Sequence, residues 1–128
     1  RISWRVPADF RAEVKSHVHP RKHLVPVINI SAGGVLFRSA NLFDMGETVE
    51  IQFTLPEGGA HQLTGQVVHI TDANSSRDQA QLYGLRFIGQ DPLVTAEIRA
   101  YVRRRVRALY FSGQEMHLRR RSDLLGAG

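Results

Sequence analysis

Cysteine is absent from this chain of 128 residues. Its absence excludes disulfides, thiolate catalysis and cysteine-based zinc sites, and a reducing cytoplasm is the expected setting. No apolar run approaches the roughly 20 residues that a bilayer-spanning helix needs, so no transmembrane segment is expected. The opening Arg1-Ile2-Ser3-Trp4-Arg5 lacks the charged-then-apolar order of a secretory leader. No paired carboxylates, no phosphate-cradling glycine loop and no base partnered with a serine stand out. The residues therefore make no case for an enzyme and imply no cofactor. Methionine does not open the chain, and a longer parent protein is expected.

What is present is the balance of one ordinary globular domain, with 42% hydrophobic and 23% charged residues. Its net charge of +5 is concentrated rather than spread. Residues 97–121 carry eight arginines against two glutamates, which leaves the rest of the chain close to neutral. The high pI thus describes one segment and not the body.

Up to Ile88 the hydrophobic pattern has the period of strands. Phe10, Ala12 and Val14, continuing toward Ser16 and Val18, interleave with charged residues. Leu24–Ile30 is strand-like, and Pro26 within it calls for an edge position or a bulge. Val35–Phe37, Thr48–Leu55, Leu63–Ile70 and Leu82–Ile88 follow, with turn chemistry at Gly33-Gly34 and Pro56-Glu57-Gly58-Gly59 and a polar loop over 71–81. Short strands at this spacing predict a mainly β domain, an antiparallel barrel or sandwich of about six strands. Gly84, in mid-strand, marks a bend or a close backbone approach.

After Asp91-Pro92 the period changes. Val94, Ile98, Tyr101, Val102, Val106 and Leu109 fall at three- and four-residue spacing, which predicts an amphipathic helix lying on the barrel. The domain is expected to span 1–110. Residues 111–128 form a basic extension in which Ser112 and Glu115 have capping-box spacing for a short second helix.

Two polar signatures stand out on this pattern. Arg1 and Arg5 form an R-x-x-x-R; each guanidinium is a permanently charged planar fork suited to phosphate or to the O6/N7 edge of guanine. Asn29, Ser31, Gly33 and Gly34 lie in N-x-S-x-G-G, which offers an acceptor, a hydroxyl and bare backbone amides at one turn. Together they suggest a site for a small guanine-containing anion.

With these motifs in order on a barrel pattern, the chain resembles the PilZ domain, a bacterial receptor module for cyclic di-GMP. The resemblance covers nearly all of residues 1–110 and includes Gly65 with Val68, Tyr83-Gly84 with Phe87, and the terminal helix. It implies a non-enzymatic cyclic di-GMP receptor. Arg1 and Arg5 would clamp phosphates and guanine edges from a mobile N-terminal arm, Asn29 and Ser31 would hold a guanine from the barrel surface, and Gly33 and Gly34 would shape the turn. Ordering of the arm would change contacts with a partner or an attached domain. Many members carry Asp where Asn29 stands; an amide gives guanine one acceptor oxygen where a carboxylate gives two. The loss of about 1–2 kcal/mol points to weaker or retuned binding.

Plainer readings stand beside these. Asn29 and Ser31 can close a turn at a strand end, and Trp4 can pack on the barrel as readily as stack on a base. His17, His19 and His23 lack an acidic partner, and Pro20 breaks their spacing, so no metal site is expected. The arginine-rich helix is expected to be a solvated face or to dock an acidic protein, as the alternative of a nucleotide-free interaction module of the same fold would require. Nucleic acid is disfavoured because no aromatic platform accompanies it.

Overall fold

The computed structural model describes residues 4–56, 58–72 and 80–109. In chain order these form β1 (Val6–Pro7), β2 (Arg11–Ser16), β3 (His23–Ser31), β4 (Gly34–Ser39), β5 (Thr48–Thr54), β6 (Ala60–Asp72), β7 (Gln81–Ile88) and α1 (Pro92–Leu109). The strands pair in the order β3-β2-β5-β6-β7-β4, and β4 pairs back onto β3, which closes a six-stranded antiparallel barrel. β1 adds no stave. It runs along the same edge of β3 as β2, with Val6 opposite Ile30 and Pro7 opposite Asn29, while β2 occupies Pro26 to His23. Ala8 N–H donates to Ile28 O (3.0 Å) and Val27 N–H to Phe10 O (3.0 Å) where the two segments meet. β1 and β2 thus act as one strand broken at residues 8–10.

Alternation puts Val14, Val25, Ile30, Val35, Phe37, Val49, Ile51, Val67, Tyr83 and Leu85 inside. Burial of each such side chain contributes about 1.5–3 kcal/mol. Val18, expected to extend the first inward row, is instead 61% exposed. The strand ends at Ser16, whose backbone N–H donates to the His19 carbonyl (2.9 Å) and turns the chain outward. Pro26 sits where β3 acquires its second neighbour: pairing with β4 begins at Val27, and a bulge follows between Val27 and Asn29. A missing N–H is tolerated at such a junction.

Aromatic residues plug both ends. Phe37, Phe43 and Tyr83 cluster at one end, with ring centroids 5.1–5.8 Å apart. Phe10, Phe53 and Tyr101 meet at the other, where Phe10 lies 5.5 Å from Phe53 and 6.2 Å from the helix residue Tyr101. α1 starts as its sequence dictates: Pro92 occupies the first turn, and the Asp91 carboxylate accepts from Leu93 N–H (2.9 Å). Ile98, Tyr101 and Val102 face the barrel, and α1 packs on β1 and β3. Glu97 of α1 approaches the buried His61 of β6 at 3.5 Å.

Two glycines let β7 come close to its neighbours. A Cβ on Gly34 would lie 2.1 Å from the Leu85 carbonyl oxygen, and one on Gly65 would lie 2.5 Å from Leu85 Cγ. Gly84 meets His69 on β6 at a bulge between Val67 and His69, the close approach its position calls for.

Tyr83 ties the far end together. Its buried hydroxyl accepts from Phe43 N–H (3.2 Å) and lies 3.0 Å from the Asn41 carbonyl and 2.9 Å from Gln81 Oε1. Burial raises its pKa above the ordinary phenol value, and the Glu47 and Asp44 carboxylates add to the rise. Tyr83→Phe should cost about 1–2 kcal/mol in urea denaturation. Because the fold favours the neutral phenol, wild-type stability should be full below pH 10 and fall as pH rises through the higher folded value; that fall should be smaller in Tyr83→Phe.

Candidate functional site

The outer face at the α1 end of the barrel gathers the predicted residues. β3 points Ile30 into the core and hence Asn29 and Ser31 outward, since the bulge between Val27 and Asn29 resets the alternation. β1 lies directly beside them. Arg5, the residue before β1, donates from Nη1 to Asn29 Oδ1 at 2.8 Å. One residue of each signature, 24 positions apart, is therefore in direct contact. Arg1 lies outside the described residues.

The two sides of this contact differ in character. Asn29 is half-buried and Arg5 exposed, so the guanidinium charge meets a neutral amide and keeps its full positive potential toward solvent. Asn29 is thereby assigned its amide orientation: the oxygen faces Arg5 and Nδ2 faces away. A carboxylate at this position would neutralise Arg5 in part; the amide does not.

Ser31 is buried, with only 4% of its surface exposed. Its Oγ accepts from Gly33 N–H (3.3 Å) and lies 3.5 Å from the Gly34 carbonyl, which closes the two-residue turn between β3 and β4. Gly33 is exposed, has nothing near its absent Cβ, and does not adopt a left-handed φ. Its carbonyl accepts from Phe87 N–H (2.8 Å). The Gly33 amide, expected to be bare, is thus engaged inside the turn. Gly34 serves the close approach of β4 to β7 rather than the turn itself.

Two residues outside both signatures join this surface. Gln90, just before α1, donates from Nε2 to the Ala32 carbonyl (3.0 Å) and ties the turn to the helix start. Arg86 of β7 is exposed directly opposite Gly34. The Tyr83-Gly84-Leu85-Arg86-Phe87 alternation marks Arg86 as outward-facing, but only the pairing of β4 with β7, which no local pattern announces, brings it beside Gly34.

The histidines go elsewhere. His19 Nε2 lies 2.6 Å from the Leu42 carbonyl, and His23 contacts Ser39 Oγ and Asn41 at the opposite end of the barrel. Among the described residues no three His, Asp or Glu side chains group as a metal site requires, and no helix is long and apolar enough to cross a membrane. The second helix expected after Ser112, and Arg119 to Arg121, lie outside the described residues.

Removing the Asn29 acceptor should release Arg5 without harming the fold. In Asn29→Leu the Arg5 Nη–Hη resonances should average and exchange freely with solvent, whereas in the wild type the Nη1 proton held by Asn29 should be slowed, while stability changes by less than about 1 kcal/mol because the bond is exposed. An unchanged Arg5 resonance would show that the contact does not hold the arm in solution.

Known proteins place the architecture. A family model described as the PilZ domain matches residues 1–104. Among solved structures, the fold is similar to the PilZ domain of YcgR from Escherichia coli with c-di-GMP (TM-score 0.68, 14% identity, 88% of this chain and 95% of that one). It is similar too to the Bacillus subtilis inhibitor of motility MotI/DgrA (TM-score 0.68, 21% identity, 82% and 50%) and to MrkH of K. pneumonia (TM-score 0.70, 11% identity, 85% and 50%). The chain spans about half the length of the latter two. No curated protein shows significant sequence similarity to it.

Proposed function

The chain belongs to the PilZ domain family, and from that membership we propose that it is a receptor for cyclic di-GMP, acting by binding and not by catalysis and needing no cofactor. The observation that carries this reading is the Arg5–Asn29 contact, which joins the two signatures on one outer face. Arg5, with Arg1, reaches the phosphates and guanine edges; Asn29 presents its amide to a guanine; Ser31, Gly33 and Gly34 hold the turn that shapes the floor. Arg5 rests on Asn29 and exchanges that single exposed bond for charge-assisted bonds to the ligand, which are stronger.

The arm is the moving part. Val6 is buried and paired with Ile30, which roots the chain at β1. Folding of Arg1 to Arg5 over the bound ligand changes what the neighbouring surface offers to a partner or an attached domain. The Gln90–Ala32 bond gives the same event a second route, from the turn to the start of α1. A reducing cytoplasm suits a chain without cysteine.

Calorimetry should give a low-micromolar or tighter dissociation constant for cyclic di-GMP, with Arg5→Ala weakening it by at least about tenfold. Absence of heat and of any chemical-shift change in the wild-type protein would overturn the reading.

A second reading rests on α1. Arg99, Arg103 and Arg107 are exposed at four-residue spacing, with no acidic residue three or four positions from any of them. Such a row is self-repelling by about 0.2–0.5 kcal/mol per pair, which an acidic protein surface would relieve. If α1 docks a partner independently of nucleotide, reversing Arg103 and Arg104 to Glu should abolish capture of that partner, while Arg5→Ala leaves capture intact.

A further inference from the structure

We propose that Arg86 is a further ligand-contacting residue, a cation that meets a phosphate of the ligand from the side of the Ser31–Gly34 floor opposite Arg5. This rests on the cyclic di-GMP reading and names a contact that neither signature contains.

The argument is one of register. Antiparallel partners share a face of a sheet. Ser31 pairs with Gly34, Gly34 with Arg86, and Arg86 with Gln66, so these four positions form one transverse row on the outside of the barrel. Continuing the β1 register by one residue, from Val6 opposite Ile30, puts Arg5 beside Ser31 at the head of the same row. Three strand spacings separate the Arg5 and Arg86 backbones, about 14 Å before the curvature of the barrel shortens it. The position between Ser31 and Arg86 is a glycine. Two cations thus face each other across a floor whose only side chain is that of Ser31, which is turned into the β3–β4 turn. A ligand with two phosphodiester groups matches a pair of separated guanidinium forks better than a single one.

The surroundings of Arg86 leave it uncommitted. It is exposed, and among the described residues it makes no ion pair or side-chain hydrogen bond. Its neighbours on the face are Gly34 across β4, Gly84 and Ile88 along β7, and Gln66 across β6; none is a carboxylate. The Gln66 amide is turned away to the Gly46 carbonyl (3.2 Å). Arg86 therefore has room on two sides, where glycines stand, and no internal charge to satisfy.

The test is titration of cyclic di-GMP into the wild-type chain and into Arg86→Gln, Arg86→Lys and Arg38→Gln. Arg38 is the comparison because it is an exposed outer-face cation on β4, four residues from Gly34. Arg86→Gln should bind about tenfold more weakly, Arg86→Lys within about threefold of wild type because a phosphate accepts a point charge, and Arg38→Gln within about twofold. Wild-type affinity in Arg86→Gln, with Arg5→Ala still defective, would overturn this proposal and leave the receptor reading standing. Equal losses in Arg86→Gln and Arg38→Gln would reduce the effect to general charge and overturn it too. A loss in Arg86→Lys as large as in Arg86→Gln would overturn the phosphate assignment. Failure of the wild-type chain to bind would remove both readings together.

Discussion

Everything at the candidate site depends on β3 being paired on both edges at once. One edge carries β2 and then β1, and the other carries β4 from Val27 onward. If β4 were not joined to β3, the barrel would be an open sheet, and Asn29 would have no fixed neighbour on that side. If β1 were not laid along the other edge, Arg5 would have no defined position relative to Asn29. The bulge at Val27/Asn29 belongs to the same constraint. Here β3 resets its register where its third partner joins, and the reset turns Asn29 outward while Ile30 stays in the core.

That arrangement explains why the two signatures act as one surface although a whole strand, a turn and most of another strand separate them. The chain leaves β1, breaks at residues 8–10, runs up β2 and returns down β3, so that Asn29 comes back to the point of departure. Val6 is buried, and the exposed Arg5 next to it reaches Asn29 through its guanidinium. The buried and exposed ends of β1 thus meet within a single peptide, beside the amide on which the guanidinium rests. The turn beyond Ser31 is self-satisfied and is linked to α1 by Gln90.

Much of this was legible in the sequence because it is local. Period-two alternation marked the strands of the barrel, and the switch to three- and four-residue spacing after Asp91-Pro92 marked α1. The two signatures were visible as residue types at short spacing. What could not be read was long-range or subtractive. Val18 continued an alternation that the Ser16 turn cut short. The two-residue β1 is too short to carry a pattern. Gly34 looked like a turn residue, whereas its reason for being glycine lies in β7, about fifty residues on. The Gly33 backbone looked available, but its N–H is taken by the Ser31 hydroxyl and its carbonyl by Phe87 N–H. Arg86 carried no signal of its own, since its place beside Gly34 follows from strand order alone.

Leu85 ends up confined on two sides, and the two confinements differ in kind. At Gly65 the closest obstacle is the Leu85 side chain, which substitution can shrink, with the Arg86 carbonyl behind it at 3.1 Å; at Gly34 it is the Leu85 backbone carbonyl, which no substitution at position 85 can move. Descendants of this sequence could therefore exchange Gly65 for alanine by trading away bulk at position 85, so that neither change is tolerated as well alone as together. Gly34 has no such partner. One glycine is a negotiable element of the lineage, and the other is held by the main chain itself.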